Sequence, residues 1–187
     1  MKAFLREILG TLILAVVIFL LLQTTIRHSV VMTASMEPTL PIGHHLLINK
    51  AVYKIFHEPE RGDIITFYPP NNPKTVYIKR VIGLPNDTVA VKEGMVYVNG
   101  SPLSEPYIKE PPSYIFHQQK IPENNYFVLG DNRNNSTDSH TGWTVKRKDI
   151  IGKAWLSIWP PSKWGLAPNY PLQEQLASST KLLFQLP

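Results

Sequence analysis

The sequence predicts a mainly β domain, open or barrel-like, carried behind one N-terminal transmembrane helix. Three observations lead there. Ile8 to Leu22 runs ILGTLILAVVIFLLL without a charge or a proline. All 17 prolines of the 187-residue chain lie beyond position 37. Past that point, short β-branched and aromatic runs alternate with turn signals, and no long stretch keeps a capped 3.6-residue period.

The apolar run comes first. Gln23-Thr24-Thr25-Ile26 can extend it, and nineteen residues at 1.5 Å rise span about 28 Å, close to the thickness of a hydrocarbon core. Lys2 and Arg6 precede it against Glu7, while Arg27 and His28 follow. The positive-inside rule then favours a cytoplasmic N-terminus and a translocated remainder. A cleaved secretory signal peptide is the alternative. The run is longer than such a core, and no small-x-small exit follows Leu22. The predicted division is therefore 1–28 as cytoplasmic start and anchor, and 29–187 as an extracytoplasmic β-rich domain.

Within that domain the strand candidates are His45 to Ile48, Ile64 to Phe67, Val76 to Ile82, Thr88 to Lys92, Met95 to Val98, Tyr126 to Leu129 and Ala154 to Ile158. Pro69-Pro70, Leu84-Pro85-Asn86-Asp87, Asn99-Gly100 and Pro111-Pro112 punctuate them, and Glu93-Gly94 reads as a hairpin turn. Trp155, Trp159 and Trp164 cluster near an irregular proline-rich tail. They suit core and surface filling, or an interfacial role beside a membrane.

Composition removes several chemistries. No cysteine is present, which excludes disulfides, thiolate zinc sites, iron–sulfur clusters and a cysteine nucleophile. A net charge of +5, with the basic residues spread out, gives no footprint for nucleic acid. Neither HExxH, a Walker lysine motif nor GxGxxG occurs, and His44-His45 would point to opposite faces of a strand, a poor chelate. Asp131 to Asp138 has the look of a calcium loop but puts Arg133 at a ligand position and lacks the loop glycine. No metal and no cofactor is expected.

Serine and lysine remain. Ser35 lies in Thr33-Ala34-Ser35-Met36-Glu37-Pro38-Thr39-Leu40, shortly beyond the anchor and so near the membrane surface; it also fits a turn serine ahead of Pro38. Lys79 lies in Tyr77-Ile78-Lys79-Arg80-Val81-Ile82. In a strand Lys79 and Arg80 face opposite sides, so one can be enclosed while the other is solvated. A serine hydroxyl needs a base, and burial makes lysine one by disfavouring its ammonium. A Ser35–Lys79 pair is thus permitted. A Ser35–Asp131–His140 triad is the mechanistic rival, and a catalytically silent membrane-anchored binding module the rival of another class.

The chain resembles the bacterial type I signal peptidases, membrane-anchored serine proteases with a Ser/Lys dyad. Ser35-Met36-Glu37-Pro38-Thr39-Leu40 looks like the family's nucleophile box, and Arg61-Gly62-Asp63-Ile64-Ile65-Thr66-Phe67 resembles its next strand motif. Tyr77 to Pro85 is similar to the box with the general-base lysine, and Gly130 to Ser139 closely matches the last box. With the anchor ahead of them, these motifs cover nearly the whole chain in family order.

By position, the resemblance implies Ser35 as nucleophile and Lys79 as general base. It implies an oxyanion hole from the Ser35 backbone N–H and the Thr33 hydroxyl, with Thr33 standing where the family often has serine or glycine. Ser136 would hydrogen-bond and orient the lysine. Asp138 would be a structural acid whose usual arginine partner is replaced here by His140, making that bridge weaker or pH-dependent. Asn86 replaces a glycine, and Gly142-Trp143 reverses the common order. Met36 is a candidate wall of a shallow subsite. The implied reaction removes signal peptides from exported preproteins after small residues at the first and third positions before the cut. Membrane lipid and an export translocon are the implied partners, in a plasma or thylakoid membrane.

Overall fold

The computed structural model describes residues 2–168, 170 and 172. Helix α1 covers Lys2–Thr25, and strand β1, Ile26–Val30, starts at the next residue. Ile26, which could extend the apolar run, is the first residue of β1. The stretch Phe4–Thr25 is long and apolar enough to cross a membrane, and none of it is buried against the rest of the chain. Its leucine, isoleucine, valine and phenylalanine side chains stand exposed along its length, a surface that water disfavours and a hydrocarbon core accepts.

Strand β2 is His45–Asn49, and a short helix α2, Val52–Ile55, follows it. The chain continues through β3 (Ile64–Phe67), β4 (Tyr77–Gly83), β5 (Thr88–Lys92), β6 (Met95–Val98) and the two-residue β7 (Ser101–Pro102). After β8 (Phe116–Lys120) and β9 (Asn125–Leu129) come β10 (Val145–Lys146), the long β11 (Ile150–Trp159) and β12 (Gly165–Leu166). Two antiparallel sheets result. The larger runs β1-β2-β11-β3-β4-β9-β10, with β12 added to β11, and the smaller runs β7-β6-β5-β8. The larger sheet is open, since β1 and β10 stand at its two ends.

Both faces of the larger sheet are covered. Leu46, Ile48 and Ile64 pack with Met36, Leu40 and Val31 in one core, and Ile65, Phe67, Val81 and Val128 pack with Tyr53 and Val145 in another. This is why β3 is buried at every position and shows no polar alternation. The smaller sheet closes a third core, where Val89, Val91, Val96 and Val98 meet Phe127 and Leu129. Its β5–β6 turn is the expected hairpin: Lys92 pairs with Met95, and Glu93 and Gly94 both take positive φ, at 53° and 73°. That geometry belongs to the two-residue turns whose twist suits flanking strands. Asn86 likewise holds φ 70°, a conformation asparagine tolerates better than most side chains. Trp155, Trp159 and Trp164 are exposed, and the expected tail beyond 172 lies outside the described residues.

Candidate active site

Ser35 sits in a single 3-10 turn, Ala34–Met36, with extended residues on either side. Met36 pins this turn. Its side chain is fully buried among Leu40, Leu46 and Ile64, and its carbonyl accepts the Leu40 N–H at 2.8 Å. Met36 is thus a core anchor of the turn, and Met32, exposed at 78%, is the methionine that lines the adjoining cavity.

The last box braces the turn from behind. Asn132 is buried; its backbone N–H donates to the Ser35 carbonyl at 3.0 Å and its side-chain amide to the Ala34 carbonyl, also at 3.0 Å. Gly130 makes this approach feasible, because a Cβ there would stand 2.4 Å from the Ser35 carbonyl oxygen and 2.3 Å from the Ser136 hydroxyl. With both carbonyls engaged, the Ser35 backbone N–H remains in the first turn of its helix, where helix geometry offers no acceptor.

Lys79 arrives from β4, opposite Ile65 of β3, while β9 joins the other edge of β4 only from Arg80 onward. Its Nζ lies 2.5 Å from Ser35 Oγ and 3.1 Å from the Ile78 carbonyl. Among the described residues it has no carboxylate at ion-pair distance. Burial pushes its pKa down to about 8, against the opposing pull of the Asp138 and Asp131 charges. Thr33 Oγ1 stands 3.3 Å from Ser35 Oγ, beside the turn where the resemblance puts it.

Arg80, the next residue, is also fully buried, so the expectation that one of the two is solvated does not hold. The physical reason is the covered sheet: each face of β4 meets its own partner. Arg80 donates from Nε at 2.9 Å and from a terminal nitrogen at 2.7 Å to the two oxygens of Asp131, and its guanidinium lies 4.2 Å from the Tyr107 ring centre. A bidentate pair and an aromatic face replace the water this ion lost.

Asp138 is fully buried, accepting the Gly130 N–H at 2.9 Å and the Ser136 hydroxyl at 2.5 Å. His140 Nδ1 approaches it at 2.7 Å, with the imidazole stacked on Tyr114 at 4.2 Å. His140 thus stands within hydrogen-bond distance of Asp138. Ser136 lines the same cavity as Ser35 and Lys79, but its hydroxyl is spent on Asp138 and the direct bond to Lys79 is not made. Asp131 belongs to Arg80 and His140 to Asp138, so the rival Ser35–Asp131–His140 triad is not assembled. Asn132 and Gly130 are the contributors that sequence reasoning passed over. They lie inside a quoted box, yet nothing local in it says that its backbone would reach the serine turn.

In front of Ser35 opens a cavity of about 370 Å³, bounded by the extended stretch from Ser29 to Thr33 on one side and Thr75 to Lys79 on the other. Two open strand edges flanking a nucleophile can hold an extended peptide by main-chain hydrogen bonds. Among the described residues no group of three or more histidines and carboxylates could hold a metal ion.

The profile of the family "signal peptidase, peptidase S26" matches residues 5–159. A probable signal peptidase I-2 of Synechocystis sp. is 42% identical over 166 residues, spanning 86% of this chain and 76% of that protein. The signal peptidase I of Leptolyngbya laminosa is 43% identical over 169 residues, spanning 86% and 83%. Among solved structures, a signal peptidase I of Enterococcus faecalis V583 is similar with 36% identity, covering 51% of this chain and 96% of that one, at a TM-score of 0.47.

Proposed function

The chain belongs to the signal peptidase family, peptidase S26, and from that premise we propose that it removes signal peptides from exported preproteins with Ser35 as nucleophile and Lys79 as general base. The observation that carries this is the 2.5 Å contact between Ser35 Oγ and a buried Lys79 Nζ that, among the described residues, has no carboxylate at ion-pair distance.

In its neutral form Nζ takes the Ser35 hydroxyl proton as Oγ attacks the scissile carbonyl carbon. The oxygen of that carbonyl becomes an oxyanion facing the Ser35 N–H and the Thr33 hydroxyl, each such donor contributing roughly 3–4 kcal/mol to the transition state. Lys79 returns the proton to the departing amine, leaving an ester on Ser35 and freeing the mature chain. Water, deprotonated in turn by Lys79, hydrolyses the ester and releases the signal peptide with a new carboxylate.

The preprotein lies extended between the two cavity walls, and small residues at the first and third positions before the cut suit the confined space beside Ile78 and Thr33. Helix α1 holds the enzyme in the membrane with its N-terminus cytoplasmic, following Lys2 and Arg6. A substrate tethered in the same bilayer then meets a site at fixed height, which raises effective concentration.

The test is a preprotein with Ala-x-Ala before its cut, incubated in detergent or lipid with wild type, Ser35→Ala, Lys79→Ala and His140→Ala, and sized by mass spectrometry. One cut after the second alanine, lost in the first two variants and kept in the third, is expected. Normal cutting by Lys79→Ala would overturn the dyad. A wild type that cuts nothing between pH 6 and 10 would leave the binding module as the better account.

A further inference from the structure

Helix α1 ends in a way that its own sequence does not provide for. The last four carbonyls of any helix lack intrahelical donors, and the partial negative charge there favours a cation. No basic residue occupies the last turn of α1. The two threonines do little for those four: Thr24 Oγ1 donates to the Leu20 carbonyl at 2.9 Å and Thr25 Oγ1 to that of Leu21 at 2.6 Å, both ahead of the last four, and Thr25 Oγ1 reaches the Leu22 carbonyl only at 3.5 Å. Two of the four are met by a residue distant in sequence. Lys50 donates its backbone N–H to the Thr25 carbonyl at 2.7 Å and its Nζ to the Gln23 carbonyl at 3.1 Å.

Lys50 is itself held in a knot of elements. It follows Asn49, the last residue of β2, whose side-chain oxygen accepts the N–H groups of Ala51 and Val52, each at 3.0 Å, at the start of α2. On the other side β11 presses in at Gly152, where a Cβ would stand 2.3 Å from the Asn49 carbonyl oxygen and 3.0 Å from Lys50 Cα. Between helix and sheet there is no linker: Thr25 is the last helical residue, Ile26 the first of β1, and Ile26 pairs with Asn49. The sheet reached at this corner also carries Lys79.

We propose that Lys50 is a positioning residue that fixes the angle between the membrane helix and the peptidase domain, so that the Ser35–Lys79 site meets substrates held in the same bilayer. The inference rests on the reading of the chain as a membrane-anchored signal peptidase. Lys50 does not touch the reacting atoms, and its influence falls on substrates that are themselves membrane-bound. A peptide free in solution approaches from any direction and does not sense the tilt of the anchor.

The experiment reconstitutes the full chain in lipid vesicles as wild type, Lys50→Ala and Lys50→Arg. Each is assayed on a preprotein whose apolar segment is inserted in the bilayer and on a short soluble peptide spanning the same cut. For Lys50→Ala we expect a fall of about tenfold on the membrane-inserted preprotein, a change of less than about twofold on the soluble peptide, and recovery on the first substrate in Lys50→Arg. Equal losses on both substrates would mean a merely structural role and overturn the proposal, as would no loss on either. A second readout needs no turnover. A spin-label pair, one label at Thr11 on α1 and one at Lys92 on the smaller sheet, should give a narrow distance distribution in wild type and a broad one in Lys50→Ala. An unchanged distribution overturns the positioning role even if wild type proves inactive on both substrates, an outcome that would by itself sink only the functional reading.

Discussion

Lys79→Met keeps much of the side chain's length and removes its amine, and the expected product is an inactive chain that resists unfolding better at neutral pH. Burial lowers the Lys79 pKa from 10.5 to about 8. Between those values the unfolded chain binds more protons than the folded one, so the stability of wild type rises with pH across that window and is at its lowest below pH 8. At 1.36 kcal/mol per pH unit, a shift from 10.5 to about 8 costs the fold about 3 kcal/mol at pH 7 and under about 1 kcal/mol at pH 10. Methionine carries no such term. The two hydrogen bonds of Nζ, to Ser35 and Ile78, are lost at either pH and cancel when the two conditions are compared. Thermal unfolding of the full chain in mild detergent, wild type against Lys79→Met at pH 7 and pH 10, reads the difference. For a chain of this size the advantage of the variant should shrink by roughly 4–10 °C on going to pH 10. A gap that is the same at both pH values refutes the idea that burial depresses this lysine.

Three further outcomes follow from the same geometry. The kcat/KM of wild type on a soluble peptide should fall about tenfold per pH unit below a midpoint near 8, because only the neutral amine of Lys79 can accept the proton; a flat profile down to pH 6 would exclude it as the base. Thr33→Val should lower kcat by about 10²–10³ with little change in KM, as loss of an oxyanion donor does, and equal rates would remove Thr33 from the hole. Met36→Ala should cost about 2–5 kcal/mol of stability in denaturant titration, the price of a cavity in a packed core, whereas Met32→Ala should leave stability within about 0.5 kcal/mol and shift KM instead.

Much of the fold was legible because its strands are short, apolar and bounded by strong turn formers, as at Glu93-Gly94. Five strands were not: the two-residue β7, β10 and β12, and two longer ones. Ile26–Val30 contains Arg27 and His28 and follows an apolar run without a break, and Phe116–Lys120 reads Phe-His-Gln-Gln-Lys. Each is a strand because a neighbour offers it a hydrogen-bonding edge, β2 for the first and β5 for the second, and pairing of that kind leaves no periodic mark in a sequence. In the site, Ser35 and Lys79 were found through motifs and prove adjacent. The burial of Arg80 was missed because it depends on Asp131 and Tyr107, far along the chain, and the packing of Met36 was not legible because its box does not say which way the turn faces.

Among the described residues no carboxylate stands at ion-pair distance from Lys79, which has a consequence for how the reaction ends. Nearby carboxylates are already committed, Asp131 to Arg80 and Asp138 to Ser136, Gly130 and His140. A buried amine in that condition, once protonated, favours an anion beside it. In the proposed reaction the anion left at the site after hydrolysis is the signal peptide's newly made C-terminus, which would pair with the ammonium and hold it in the form that cannot act as a base. The enzyme would thus be arrested by its own product until the bilayer draws that peptide away, which makes lateral escape into lipid part of turnover.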